Sequence, residues 1–480
     1  MITRILLLDL RNMIADRTLI VVVLLFTTLI FYALYNGNNW KSKRIALIKQ
    51  AQQVSDNQLN EAKKQVIEIY SGQKRAEELP QAGRPGTIKT LACLSPQPLA
   101  VLSLGQGIIL PYSVSIDIYS IKYILTNQTE TDNPVNLIAG RFDLSFVFIY
   151  FYPLLILVLS YNILSAEREE GTLQITLSQP VHVQTVLLGK TLARIVVLLT
   201  TGWGVTLIGL WLFNIDISDR ETIIRLTLWL ALILIYTFFW FSIALMVNAF
   251  GKNSAANAIT LITIWLTIVI VTPVLLTIVT TKLHPLPSRL ELIREIRAAD
   301  NAVNREDKQL LSQYYKDHPE LTVNGAALNP EEISYDVYYA KYYAMQQELQ
   351  QRVMSRLIYH NQQLMRQQYI ITNYRFLSPA IVMQEALNNL AGTDRQRHEQ
   401  FIKQVGEFID LWHSKFAPMV FRKERLSVVD YDKLPRFEFR EEHTNEVVRR
   451  TLISFVGIGS LVLIFSIISV VCLRHYPLIN

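Results

Sequence analysis

Apolar residues in this chain gather into six long stretches, separated by polar segments of very unequal length. Residues 18–35, 145–165, 186–213, 222–247, 258–280 and 451–473 each approach or exceed the roughly 20 apolar residues a helix needs to cross a hydrocarbon layer. Ahead of the first, residues 1–17 carry an amphipathic pattern. Ile2, Ile5, Leu6, Leu10, Met13 and Ile14 share one side of a helix, with Arg4, Asp9, Arg11 and Asp16 turned away, as suits a helix lying in a membrane interface. No small-residue cleavage site follows residue 35, so the first stretch reads as a retained span.

The two longest polar segments read differently from each other. Residues 36–144 open with a helical pattern rich in Lys, Gln and Glu over 40–70; Pro80, Pro85, Pro96, Pro98 and Pro111 then break it, and 114–125 has the β-branched bias of strands. Residues 281–450 are helical nearly throughout, with starts at Ser288, Pro330 and Ser378-Pro379, and a cap at Thr393 or Asp394 for a helix ending about His413. The expected fold is an all-α membrane protein with six spans and two large extracytoplasmic insertions, the second mainly helical and the first α plus some strand. Pro153 and Pro273 fall inside spans, where neighbouring groups can satisfy the carbonyl that proline frees. Gly457, Gly459 and Ser460 allow close packing in the sixth.

Composition agrees with a polytopic membrane protein: 51% hydrophobic, 18% charged and a mean hydropathy of +0.24 over 480 residues. The net charge of +6 is attributed to loops that set orientation and not to nucleic acid. Arg4, Arg11, Arg17, Lys190, Arg194, Lys252, Arg474 and His475 fall on one side when six spans are counted. Both termini and the short loop 166–185 are therefore expected in the cytoplasm, and the two large segments outside. Lys190 and Arg194 are expected to snorkel from the third span to the interface. Cys93 and Cys472 then lie on opposite sides and cannot be bridged, and Asn127 to Thr129 is read as a chance sequon.

Motif chemistry is sparse. The span centres carry no ionisable side chain of the kind ion-coupled carriers use, so energy for transport must come from elsewhere. Gly189-Lys190-Thr191 ends like a phosphate loop, but Gln184 stands where its first glycine is required, and His398-Glu399 begins a zinc-protease pattern that Ile402 does not complete. No catalytic site and no metal or cofactor set is expected in this chain. What stands out is the loop after the second span. Glu167, Glu169 and Glu170 sit at a helix C-terminus, where each acidic charge opposes the helix dipole by about 0.3–1 kcal/mol, so something beyond that helix should compensate them.

The order Tyr161-Asn162, Ser165, Glu167, Glu169, Gly171-Thr172-Leu173, Leu177-Ser178-Gln179-Pro180 and Leu188-Gly189-Lys190 resembles the membrane subunits of type 2 ABC exporters. Pro98-Leu-Ala100, Leu102 to Gln106, Pro111-Tyr112, Asn133-Pro134, Gly140 to Leu144, Leu377 to Ala380, Ala386 to Asp394 and Arg397-His398 narrow it to a branch with large extracytoplasmic insertions. The resemblance implies that residues 166–185 form a coupling hairpin docking on a separate cytoplasmic ATPase. Glu167, Glu169 and Glu170 would meet basic groups of the ATPase, with Arg168 among the coupling residues, and Leu173 and Leu177 would fill an apolar groove. Gly171 would turn the chain, Thr172 cap a short helix, and Ser178 and Pro180 end it. It also implies ATP and Mg bound by the ATPase partner, a second permease as homodimer or heterodimer, a bacterial cytoplasmic (inner) membrane, and export or extraction of a substrate. The alternatives are a complex that transmits force to a periplasmic partner without passing cargo, and a non-transporting membrane scaffold. Ala391 to Asp394 reads equally as a binding element or as a helix stop followed by an N-cap.

Overall fold

The computed structural model describes residues 2–15, 17–108, 110–122, 142–178, 182–286, 288–322, 328–329 and 331–474. Six helical rods among them are long and apolar enough to span a membrane, as the sequence pattern predicts. Asp16, residues 127–129, 133–134 and 140–141, Gln179, Pro180, Pro330 and His475 lie outside the described residues.

α1 (Ile2–Ala15) leads into α2 (Thr18–Tyr70), which continues well past the first span as one 53-residue helix, about 80 Å long. The expected span and the expected polar helix are thus a single rod, because the run between them contains no proline. A small antiparallel sheet follows, β1 (Thr90–Cys93) paired with β2 (Ser113–Ile116) in the register Thr90 to Ile116 and Cys93 to Ser113. β1 was not legible as a strand: its four residues, Thr-Leu-Ala-Cys, show no run of β-branched residues.

The second span is segmented. One helical turn (Leu144–Phe146), capped by Asp143, runs into a π turn (Val147–Phe151) and then α3 (Tyr152–Ser160). After a turn come α4 (Ser165–Glu169) and α5 (Thr172–Leu177). α6 (Val183–Leu212) and α7 (Arg220–Ala249) are the third and fourth spans. The fifth is α8 (Ser254–Leu266), a π turn (Thr267–Val271) and α9 (Thr272–Leu283). Pro153 and Pro273 each stand second in the helix that follows their π turn. A π turn accommodates a residue that cannot donate in the ladder, and it marks a mechanical weak point.

Beyond the fifth span come α10 (Arg289–Arg305), α11 (Asp307–Asp317), α12 (Tyr335–Tyr374), α13 (Pro379–Ala391), α14 (Arg395–Phe421) and α15 (Val428–Asp432), before the sixth span α16 (Thr444–Leu473). α14 runs through Pro418 to Phe421, eight residues past the expected end at His413. Its cap is Asp394, which accepts from the Gln396 and Arg397 amides at 3.1 and 3.3 Å.

Two packing results differ from a reading of two separate insertions. Ile88, Ala92, Val114, Ile116 and Ile118 of the first segment share one buried core with Tyr343, Phe401, Trp412, Phe416 and Phe421 of the second. α13 packs with the spans: Ala380, Met383, Leu387 and Leu390 belong to the same core as Phe26, Phe148, Trp229 and Trp240. Gly457 of the sixth span leaves room for the ring of Phe376, which precedes α13, so this small residue serves the inserted segment.

Candidate functional site

The hairpin after the second span is built on a broken helix end. When α3 stops at Ser160, the carbonyls of its last turn lose their partners, and side chains from other spans take their place. The Leu159 carbonyl accepts from Arg194 Nε, the Ser160 carbonyl from Asn248 Nδ2 at 2.8 Å, and the Ile163 carbonyl from Lys190 Nζ at 3.4 Å. Arg194 also pairs with Asp9 of α1, both buried. Lys190 and Arg194 therefore turn into the protein instead of snorkelling outward, since freed carbonyls and two carboxylates offer partners there. Asp9 faces inward for the same reason and not away from the apolar side of α1.

Two of the three acids of the hairpin are compensated within the chain. Glu167 pairs with Lys190 at 2.6 Å. Arg168 donates to the Gly251 carbonyl, in the turn between the fourth and fifth spans. Glu169 accepts from the Ser254 amide at 2.7 Å and the Ser254 hydroxyl at 2.9 Å. The Ser165 and Ser254 hydroxyls meet at 2.8 Å. Ser254 is the first residue of α8, so a carboxylate at the wrong end of α4 stands at the favourable, amino-terminal end of α8.

The tip then turns outward. Gly171 has φ +71° with open space around it, so its left-handed backbone is what calls for glycine. Thr172 is the first residue of α5 and not its cap; its hydroxyl donates to the Glu167 carbonyl at 3.2 Å and ties the two short helices together. Leu173 is 1% exposed, packed with Ile163, Leu164, Leu187, Ala249 and Leu473, and does not face outward as expected. Leu177 closes α5. Glu170, Thr172, Gln174, Ile175 and Ser178 are exposed, Ile175 at 70%, and the Ser178 hydroxyl donates back to the Ile175 carbonyl at 2.7 Å. Sequence reasoning missed Ile175, Asn248, Gly251 and Ser254. The polar break from Asn248 to Ser254, with Asn253 capping α8 through the Ala256 amide at 2.8 Å, carried a signal for the last three.

On the opposite face, the motif residues of the two large segments line a small pocket that includes Trp40, Arg44, Tyr112, Asp394, Arg397 and His398. These groups are engaged within each segment and, through Arg397 and His398, between the two. Arg44 lies 3.9 Å over the Tyr112 ring, Arg397 pairs with Glu441 and donates to the Ser95 carbonyl at 2.8 Å, and His398 Nε2 reaches the Pro111 carbonyl at 3.0 Å. Gly392 ends α13 and Asp394 caps α14, which accounts for Ala391 to Asp394 structurally. No group of three or more potential metal ligands occurs among the described residues.

Residues 107–270, which include the hairpin, match the family model for ABC-2 family transporter proteins. Residues 289–440 match a model for a domain of unknown function (DUF3526). No curated protein matches the chain.

Proposed function

We propose, on the premise that this chain is an ABC-2-type membrane permease, that its hairpin docks on a separate cytoplasmic ATPase and couples nucleotide binding there to movement of the spans. The observation that carries this reading is the division of labour in the hairpin. Glu167, Arg168, Glu169 and Leu173 fasten it to the third, fourth, fifth and sixth spans, while Glu170 and Ile175 are left pointing into solvent. An exposed apolar anchor beside an acidic group, on a rigidly held stub, suits a mixed apolar and basic pocket on a partner.

In this reading the hairpin face is cytoplasmic and the membrane is the bacterial inner membrane. ATP and Mg belong to the ATPase, and this chain supplies no catalytic group. A second permease, identical or related, completes the pathway, and the direction is export or extraction. A force-transmitting role toward a periplasmic partner is the second reading, favoured by the single core that the two large segments share.

The test is the purified permease with its cognate ATPase. Glu170→Lys and Ile175→Asp should each abolish co-purification and permease-stimulated ATP hydrolysis, with the permease still monodisperse. Association at the parental level in both variants would sink the docking assignment.

A further inference from the structure

The fifth span is held in an unusual way. In its middle, the π turn ends with the Thr272 amide bonded to the Thr267 carbonyl, and the Thr272 hydroxyl donates to the same carbonyl at 2.8 Å. Pro273 has no N–H to offer the next carbonyl in line, that of Ile268. The Ser378 hydroxyl fills the gap, donating to the Ile268 carbonyl at 2.7 Å. Ser378 is fully buried and belongs to the large segment, at the start of α13. A carbonyl left unsatisfied at that depth is costly, so this bond fixes where the large segment grips the span.

At its hairpin end the same span is gripped again. Glu169 holds the Ser254 amide and hydroxyl, and Arg168 holds the Gly251 carbonyl just ahead. Lateral packing is slight by comparison. Only 6% of the residues in the span's most apolar 18-residue window are buried, against 11% for the sixth span, 61% for the fourth and 67% for the second. Ile259, Ile262, Leu266, Val274 and Leu275 are all exposed. The second span carries the equivalent proline joint, but there Tyr236 of the fourth span donates to the Ile149 carbonyl at 3.2 Å and Tyr152 meets Thr237 at 2.8 Å. Its joint is braced from within the bundle.

We infer that the fifth span is the transmission rod of this permease, clasped by Glu169 at one end and by Ser378 at its joint, and that it hands displacement of the hairpin to the large domain. The inference rests on the docking reading above. Ser254 to Ile268 is about 21 Å of helix, stiff along its axis; one edge, with Asn257 and Leu261, is buried against the bundle and most of the remaining surface is open, so the rod can tilt about that edge. The π-proline joint is the bistable element such a route requires. Glu169 and Ser378 are positioning residues, since neither touches cargo or nucleotide in this scheme.

The experiment uses the full-length permease with its cognate ATPase in nanodiscs, with Cys93 and Cys472 replaced. Spin labels at Val279→Cys on the fifth span and Val456→Cys on the sixth report the upper fifth span, and a second pair, Tyr338→Cys with Val456→Cys, reports the large domain. In the parent, ATP with vanadate should shift both distances by several ångströms. Glu169→Ala should keep the ATPase bound and lose both shifts, and Glu169→Asp should restore them in part. Ser378→Ala should keep the first shift and lose the second, with Ser378→Thr restoring it. Shifts that persist in Glu169→Ala, or a parent that binds ATPase yet shows no shift, overturn the rod. Loss of the ATPase from Glu169→Ala also overturns it, because Glu169 would then be a docking group. A parent that binds no ATPase overturns the docking reading itself, and the rod with it.

Discussion

At the scale of single residues, the charges beneath the hairpin decide whether it is a rigid stub or a loose loop. The Glu167 and Lys190 side chains are 23% and 14% exposed, so removing one leaves the other largely desolvated and unpaired. Lys190→Met should cost about 2 kcal/mol in chemical denaturation, and Glu167→Gln in the same chain should recover a good part of it. A double-mutant cycle measures the coupling directly; additive losses would show that the pair does not act as a unit. On the other face, His398 has its pKa lowered chiefly by burial, and His413 likewise. Arg44 and Arg395 add to the lowering of His398, while Glu399 and the Pro111 carbonyl oppose it. A histidine whose folded pKa lies below its unfolded value binds protons more readily in the unfolded chain, so stability falls as pH drops through about 6.5. The large domain should therefore melt at a lower temperature at pH 5.5 than at pH 7.5. His398→Gln should reduce that difference, and an unchanged pH dependence would remove His398 as a cause.

At the scale of elements, the two π-proline joints show what hydropathy conveys and what it omits. Spans, prolines and the need for a substitute donor were all legible in the sequence, because apolar runs and missing N–H groups are local properties. The donors were not. Tyr236 and Ser378 stand 87 and 110 residues from the carbonyls they serve, and nothing local distinguishes either from its neighbours. The hairpin divides in the same way. Its charges, its turning glycine and its short helix could be read directly, but Leu173 looked like Ile175, and only packing against Ile163, Leu187 and Leu473 sets the inward one apart. The joint in the second span yields a test. Tyr236→Phe should cost about 1 kcal/mol by leaving the Ile149 carbonyl unpaired. In a Pro153→Ala background, where residue 153 regains an N–H that an α-helical turn brings to that carbonyl four residues back, the same change should be nearly neutral, as measured by unfolding in detergent. Equal costs in both backgrounds would mean that Tyr236 does not stand in for the missing N–H.

At the scale of the whole molecule, two segments separated by four spans fold as one body. Ile88, Val114, Ile116 and Ile118 of the first are buried against the aromatic wall of the second, and at about 2 kcal/mol for each buried side chain they contribute roughly 8 kcal/mol. A domain's entire margin is about 5–15 kcal/mol, so the second segment should not stand without the first. Ties at the periphery point the same way: Lys122 pairs with Asp410 at 2.6 Å, Lys63 with Asp432 at 2.6 Å, and Arg84 with Asp336. A protein of residues 288–443 alone is expected to lack a cooperative thermal transition by circular dichroism. Joining residues 38–122 to it through a flexible linker should restore one. The outcome bears on coupling as well as on folding. A force arriving at Ser378 enters the second segment, and it reaches the sheet and the far half of α2 only if the shared core moves as a unit. Cooperative melting of residues 288–443 by themselves would make the segments independent, and the displacement would end where it entered.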